Sequence, residues 1–230
     1  MDSIFVFTGG SPISPIFAEK LVLDSEKKIP AVAADSGIET FERFQEHFGG
    51  VFLLKKIVGD WDSISDSSRL KKYPKEIICS MPVDKDFTDT ELALEDAKKM
   101  GEGRTVVLVG ASAGERIDHF LGAFDLFSTK IRADIWLCGF QTLYFLPEKS
   151  RVFIRPKHKN DVISILRTSK SRSGGKIESN GLFWESDKFR KEGIPSLSNR
   201  ALDENPIELF VFEGEFVLAV LSTTDVKIEF

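Results

Sequence analysis

The residues best suited to chemistry are carboxylates placed just after apolar runs. Asp35 follows AVAA; Asp60 and Asp62 follow the run ending at Val58, in GDWDS; Asp84, Asp86 and Asp89 follow EIIC, in VDKDFTDTE. Ligands of open α/β sheets bind at the carboxyl ends of the strands, so acids repeated there read as one site. Read as extended chain, Asp60 and Asp62 point to the same side and converge on one cation. Each acid also has an ordinary reading: Asp89 complements a helix dipole, Asp86 sits in a turn and Asp60 accepts in an Asx-turn. Gathered together, they repel one another unless a cation is present. The clusters contain neither His nor Cys, and an all-oxygen donor set points to Mg²⁺. A metal held by carboxylates beside a nucleotide is the usual arrangement for phosphoryl-type transfer.

The run TVVLV leads into GASAGERIDHF. Gly110 and Gly114 allow close backbone approach by a phosphate or nucleobase. Arg116 offers a planar fork for phosphate, and Asp118 a cap for the helix that begins IDHF. His119 reads as a helix-face residue. There is no Walker A lysine motif and no G-x-G-x-x-G after a strand, which argues against P-loop chemistry and hydride transfer on a nicotinamide. In NGLFWES, Trp184 reads as a strand residue of the core, or as a flat face for a heteroaromatic or cationic ring. Ser198 and Asn199 follow in SLSNR.

The elements that position these groups fall into two textures. Up to about Leu146, apolar runs (Ile4 to Phe7, Ala31 to Ala34, Val51 to Val58, EIIC, Thr105 to Val109, ADIWLC) alternate with helix-like ETFERFQEHF and TDTELALEDAKKM. This predicts a mainly parallel sheet covered on both faces. Thr88 with Glu91 forms a capping box, and Gly101 is placed to end that helix. Beyond, VFIR, DVISIL, KIES, LFVF, FVLAVL and VKIEF are separated by Gly, Ser, Asn and Pro, and predict a small antiparallel β unit. The expected domains are 1–148 and 149–230. RTSKSRSGGK reads as a solvated hairpin loop, with phosphate contact as the alternative.

With 230 residues, 42% hydrophobic and 29% charged, the chain is ordinary globular protein rather than a disordered or collagen-like one. A net charge of -5 lacks the basic footprint of a nucleic-acid surface. Cys79 and Cys138 lie in apolar runs and read as buried, reduced thiols. No run approaches the ~18 apolar residues of a membrane span, and MDSIFVFTGG lacks a leader's cleavage pattern, so a soluble cytoplasmic protein without membrane attachment is expected.

In order, AADSG, GDWDS, DKDFTDTELAL, GERIDH, GLFW and SN resemble the motifs of the thiamine pyrophosphokinase family, over about residues 30–200. The resemblance implies a Rossmann-like α/β domain binding ATP, a C-terminal β-sandwich, and a homodimer with thiamine bound between subunits. It implies an acidic Mg²⁺–ATP site of Asp35, Asp60, Asp62 and Asp89, with Asp60, Asp62 and Asp89 as metal ligands. Gly37, Asp86, Thr88, Gly110 and Gly114 would border the nucleotide, with Lys85 and Arg116 on phosphate. Asp118 would lie near nucleotide and substrate. Trp184 would stack on thiamine, with Ser198 and Asn199 as its polar contacts. Ser36 and Glu115 stand where the family has glycines. The implied reaction is transfer of a pyrophosphoryl group from ATP to the thiamine hydroxyethyl group, giving thiamine diphosphate and AMP. The alternatives are a degenerate module that binds thiamine or nucleotide without turnover, and a metal-dependent phosphohydrolase using the same aspartates.

Overall fold

A computed structural model describes every residue except 1, 23–26, 62, 63, 65, 83–85, 112–115, 172, 173 and 230. The chain divides into two compact units, Met1–Gly139 and Phe140–Phe230.

In the first unit, β1 (Ser3–Phe7), α1 (Glu19–Val22), β2 (Ile29–Ala34), α2 (Gly37–His47), β3 (Phe52–Gly59), β4 (Ile78–Ser80), α3 (Asp89–Met100), β5 (Thr105–Val109), α4 (Ile117–Asp125) and β6 (Ile135–Cys138) follow in order. The strands lie in the order β4-β3-β2-β1-β5-β6, every neighbouring pair parallel. Strands buried on both faces must be apolar throughout, and β1 (SIFVF) has all five residues buried. Its alternation separates two layers. Phe7 meets Phe41 and Phe44 of α2 and Phe52 of β3, at centroid distances of 5.6, 5.2 and 5.4 Å. Ile4, on the other face, faces the end of α3, where a Cβ on Gly101 would lie 2.9 Å from Ile4 Cγ2. The mixed α/β architecture and its parallel sheet follow the sequence pattern closely.

The capping box of α3 forms as its residues dictate. Thr88 Oγ1 accepts from Glu91 N–H (3.2 Å), and Glu91 Oε2 accepts from Thr88 N–H (2.8 Å). Other expectations need correction. The helix after Gly110 begins at Ile117 with Arg116 at its N-cap, so Asp118 lies in the first turn rather than capping it. EIIC contributes only the three-residue β4. Cys79 and Cys138 form no disulfide but are half-buried rather than buried, because each lies near a strand end.

The second unit holds β7 (Gln141–Leu146), β8 (Arg151–Arg155), β9 (Ile163–Arg167), β10 (Lys176–Asn180), β11 (Ser196–Asn199), β12 (Ile207–Glu213), β13 (Phe216–Leu221) and β14 (Asp225–Glu229). Within it, β11-β9-β13-β7 and β10-β12-β8-β14 are antiparallel sets, and both supply one core that includes Ile163, Ile165, Phe216 and Leu218 with Val152, Ile154, Leu209 and Val211. β7 falls here because Gln141–Leu146 pairs antiparallel with Leu221–Phe216. The segment 167–176 is solvated only in part over its described residues: Ser169, Lys170, Gly174 and Lys176 are exposed. Thr168 and Ser171 are buried, and Ser171 Oγ accepts from Glu215 N–H at 2.7 Å. Arg167 donates to the carbonyls of Gly193 (2.6 Å) and Arg190 (3.0 Å), so its guanidinium is committed inside the unit.

Candidate active site

The strand order reverses direction between β1 and β5: the chain runs outward from β1 through β2 and β3, then returns to β5 on the other side. Connections that leave in opposite directions open a crevice at the carboxyl ends of those strands. Five segments meet there. Thr8 extends β1, its N–H donating to Val109 O (2.9 Å), and Ala111 N–H donates to Gly9 O (2.8 Å). A Cβ on Gly37 would overlap the Phe7 carbonyl oxygen and lie 2.6 Å from Thr8 Cα. Asp35 N–H donates to Val58 O (2.8 Å), and a Cβ on Gly59 would stand 3.1 Å from Asp35 Cα. Thr90, next to Asp89 in the first turn of α3, has its hydroxyl 2.9 Å from that of Thr8. Asp35, Asp60 and Asp89 are thus all borne by segments of this one edge.

The backbone there is strained. Asp35 (φ 49°), Trp61 (φ 71°) and Ala111 (φ 48°) are left-handed without being glycine, each costing on the order of 1–2 kcal/mol. Trp61 itself is not extended, since β3 ends at Gly59 and Trp61 is left-handed; the expected pairing of Asp60 with Asp62 falls outside the described residues. Asp62, Lys85 and Gly114 lie outside the described residues.

Gly37 and Gly110 are glycines for a packing reason. A Cβ on Gly110 (φ 116°) would overlap the Thr8 carbonyl oxygen, while the Gly110 carbonyl accepts from Trp136 Nε1–H at 2.7 Å. Thr88 spends its hydroxyl on the helix cap, and Asp86 is exposed just before it. Ser36 Oγ points to Gly9, where a Cβ would collide with it, so the added volume turns toward Gly9. Arg116 and Asp118 are exposed and grip one another, with Nη2 to Oδ2 at 2.6 Å and Nε to Oδ1 at 2.9 Å. The hydrogen bonds from Arg116, then its charge, hold the Asp118 carboxyl well below the usual carboxylate range. The ionised carboxylate in turn holds the Arg116 guanidinium in one direction. His119 is exposed on α4.

Among the described residues no three His, Cys, Asp or Glu side chains form a metal cage. The donors at the edge still suit a hard cation. Asp35, Asp60 and Asp89 offer oxygen only, and Asp35 and Asp89 each bury one carboxylate oxygen.

In the second unit, Trp184 is not a strand residue: the local pairing is a single bridge, Leu182 to Ala201, and the residue is 44% exposed. Phe183 stands edge-on to it at 5.0 Å, and the Arg200 guanidinium lies 3.7 Å above Phe183. Asn199 is 1% exposed and committed to the loop. Its Oδ1 accepts from Trp184 N–H (3.1 Å), and its Nδ2–H donates to Trp184 O (2.8 Å) and Ser196 Oγ (3.0 Å). It therefore fixes the backbone of Trp184. Ser198 is exposed and left-handed (φ 56°), its N–H bonded to Ser164 Oγ at 3.1 Å. Asn199→Ala leaves the Trp184 backbone groups unsatisfied, with an expected loss of about 1–3 kcal/mol and a lower Tm by thermal melt.

Residues that sequence reading passed over are Thr8 and Gly9. Neither is charged or nucleophilic in an obvious setting, and their importance lies in what packs against them.

The model of "Thiamin pyrophosphokinase, catalytic domain" matches residues 23–137, half of the chain. The thiamine pyrophosphokinase of Bacillus subtilis superposes with a TM-score of 0.70 at 18% identity, covering 95% of this chain and 98% of that one. The thiamin pyrophosphokinase of Candida albicans gives 0.61 at 17%, covering 95% and 88%; the yeast enzyme gives 0.63 at 14%, covering 96% and 86%. At those identities the structures speak for the fold. No curated protein matches the chain in sequence. The parallel sheet with carboxylates at its switch point is the scaffold, and the matched catalytic domain makes it that of a transferase of the kinase type. The chain belongs to the thiamin pyrophosphokinase family. It is an enzyme of thiamine pyrophosphorylation, in a family that takes ATP as co-substrate.

Proposed function

We propose that the acidic edge of the first unit holds Mg²⁺–ATP and that Trp184 in the second unit supplies the stacking face for thiamine. That segments of one sheet edge carry Asp35, Asp60 and Asp89 is the observation that supports this most. Asp60, Asp62 and Asp89 would hold the ion, and Mg²⁺ would supply charge neutralisation for the polyphosphate. The oxygen of the thiamine hydroxyethyl group attacks the β-phosphorus; the new O–P bond forms as the bond to the α,β-bridging oxygen breaks, and AMP leaves. Little covalent work falls on the protein, so its residues bind and align. Arg116, oriented by Asp118, and Lys85 steady phosphate oxygens. The proton leaves the hydroxyl for one of the aspartates, Asp118 included.

The indole of Trp184 is exposed and its backbone is clamped by Asn199, which suits a rigid shelf for a cationic heteroaromatic ring. We read the first unit as Rossmann-like and the second as a β-sandwich, and the protein as a cytoplasmic homodimer, on the motif resemblance; among the described residues no helix is long and apolar enough to cross a membrane.

The decisive assay supplies purified protein with ATP, Mg²⁺ and thiamine and measures AMP and thiamine diphosphate. AMP that requires thiamine and vanishes with EDTA is the expected result. Thiamine raising the Tm without AMP would identify a non-catalytic binding module, and phosphate release without an acceptor would identify a hydrolase.

A further inference from the structure

We infer that Thr8 is a positioning residue for the transfer reaction, setting where the first turn of α3, and with it Asp89, stands against the sheet. The inference rests on the proposed role of Asp89. Thr8 lies outside the residues matched by the family model and follows a strand with no charged residue. Its side chain is buried, and a hydroxyl at such a place costs free energy unless bonded. Valine would fill the volume, so the oxygen has a use: it lies 2.9 Å from Thr90 Oγ1, across 82 positions of sequence.

The capping box of Thr88 and Glu91 fixes the internal shape of the first turn of α3, but both residues belong to the helix start and neither ties it to the sheet. The helix body is tied farther along, by Lys56 to Asp96 (2.6 Å) and Lys98 to Asp134 (3.4 Å). Asp96 is six residues beyond Thr90, roughly 9 Å along the axis. The Thr8–Thr90 bond is a tie to the sheet at the end that carries Asp89. Thr8 is itself held from both sides. Its N–H is bonded to Val109 O, its carbonyl and Cγ2 fill the space before Gly110, and Gly37 packs on its Cα. Thr8 is therefore a fixed post to which α3 is registered.

Thr8→Val and Thr90→Val each remove one hydroxyl at nearly constant shape. Each is expected to raise the Mg²⁺ concentration for half-maximal rate, or lower kcat, by about tenfold, the scale of one buried hydrogen bond. The double variant is expected to be no worse than either single, since both remove the same contact. Thr8→Ser, which keeps the oxygen, is expected to restore near-parental kinetics. A lower Tm with unchanged kcat and Mg²⁺ dependence would make Thr8 merely structural, and additive losses in the double variant would show that it does not act through Thr90; either overturns the inference. Should Thr8→Val fail to fold, Thr90→Val, at a partly exposed position, carries the test. Asp89→Asn in the same series separates the two levels. Full turnover there removes the reading on which the inference rests, while its loss beside a parental Thr8→Val sinks the inference alone.

Discussion

Asp89→Asn is expected to lower thiamine-dependent AMP formation by about 10²–10³-fold at saturating Mg²⁺, the size found when one electrostatic partner of a transferring group is lost. Asp89 opens α3, its turn is shaped by the Thr88–Glu91 cap, and it buries one carboxylate oxygen at the edge that also carries Asp35 and Asp60. Asparagine keeps that shape and removes only the charge. The helix start loses a favourable dipole contact of about 0.3–1 kcal/mol, but the mutual repulsion of the edge acids falls as well. The Tm without metal should therefore change little. In the parent enzyme Mg²⁺–ATP should raise the Tm, because it binds the folded state alone, and in the variant that rise should shrink. Rate, Mg²⁺ titration and thermal melt check all three. A variant with parental turnover would remove Asp89 from the site.

Gly110→Ala is expected to cost about 3–5 kcal/mol, from left-handed strain and overpacking together. The φ of 116° is open to glycine and hostile to alanine, and the new methyl would overlap the Thr8 carbonyl oxygen while lying 2.8 Å from Thr8 Cγ2 and 2.9 Å from the Gly9 carbonyl oxygen. These are backbone atoms or atoms of the buried Thr8 side chain, not the ends of flexible side chains, so relief requires the β1 and β5 termini to separate. At about 2–4 °C per kcal/mol for a chain of this size, the melt should fall by roughly 6–20 °C. Gly122→Ala is the control. It lies within α4, nothing stands within 4 Å of an added Cβ, and alanine there is expected to be neutral or stabilising by up to ~1 kcal/mol. Equal melting temperatures for the two variants would refute the packing account of Gly110.

Period, caps and turn residues act over about four positions, and what they govern was legible. The alternation of apolar runs with ETFERFQEHF and TDTELALEDAKKM determined a parallel sheet with helices over it, and Thr88 with Glu91 determined where α3 starts. The acids after AVAA and after Val58 were marked as candidates because strand ends are local features. The sequence by itself did not determine that the chain turns left-handed at Trp61, that Gln141–Leu146 pairs with Leu221–Phe216, or that Trp184 stays exposed while Asn199 is buried. Each depends on partners distant along the chain: 15 positions separate Asn199 from Trp184, and 82 separate Thr8 from Thr90. A threonine after a buried strand carries no local sign of its use. Only closure of the sheet brings the Thr90 hydroxyl to it, because burial and hydrogen-bond satisfaction are properties of the packed chain and have no counterpart in a segment taken alone.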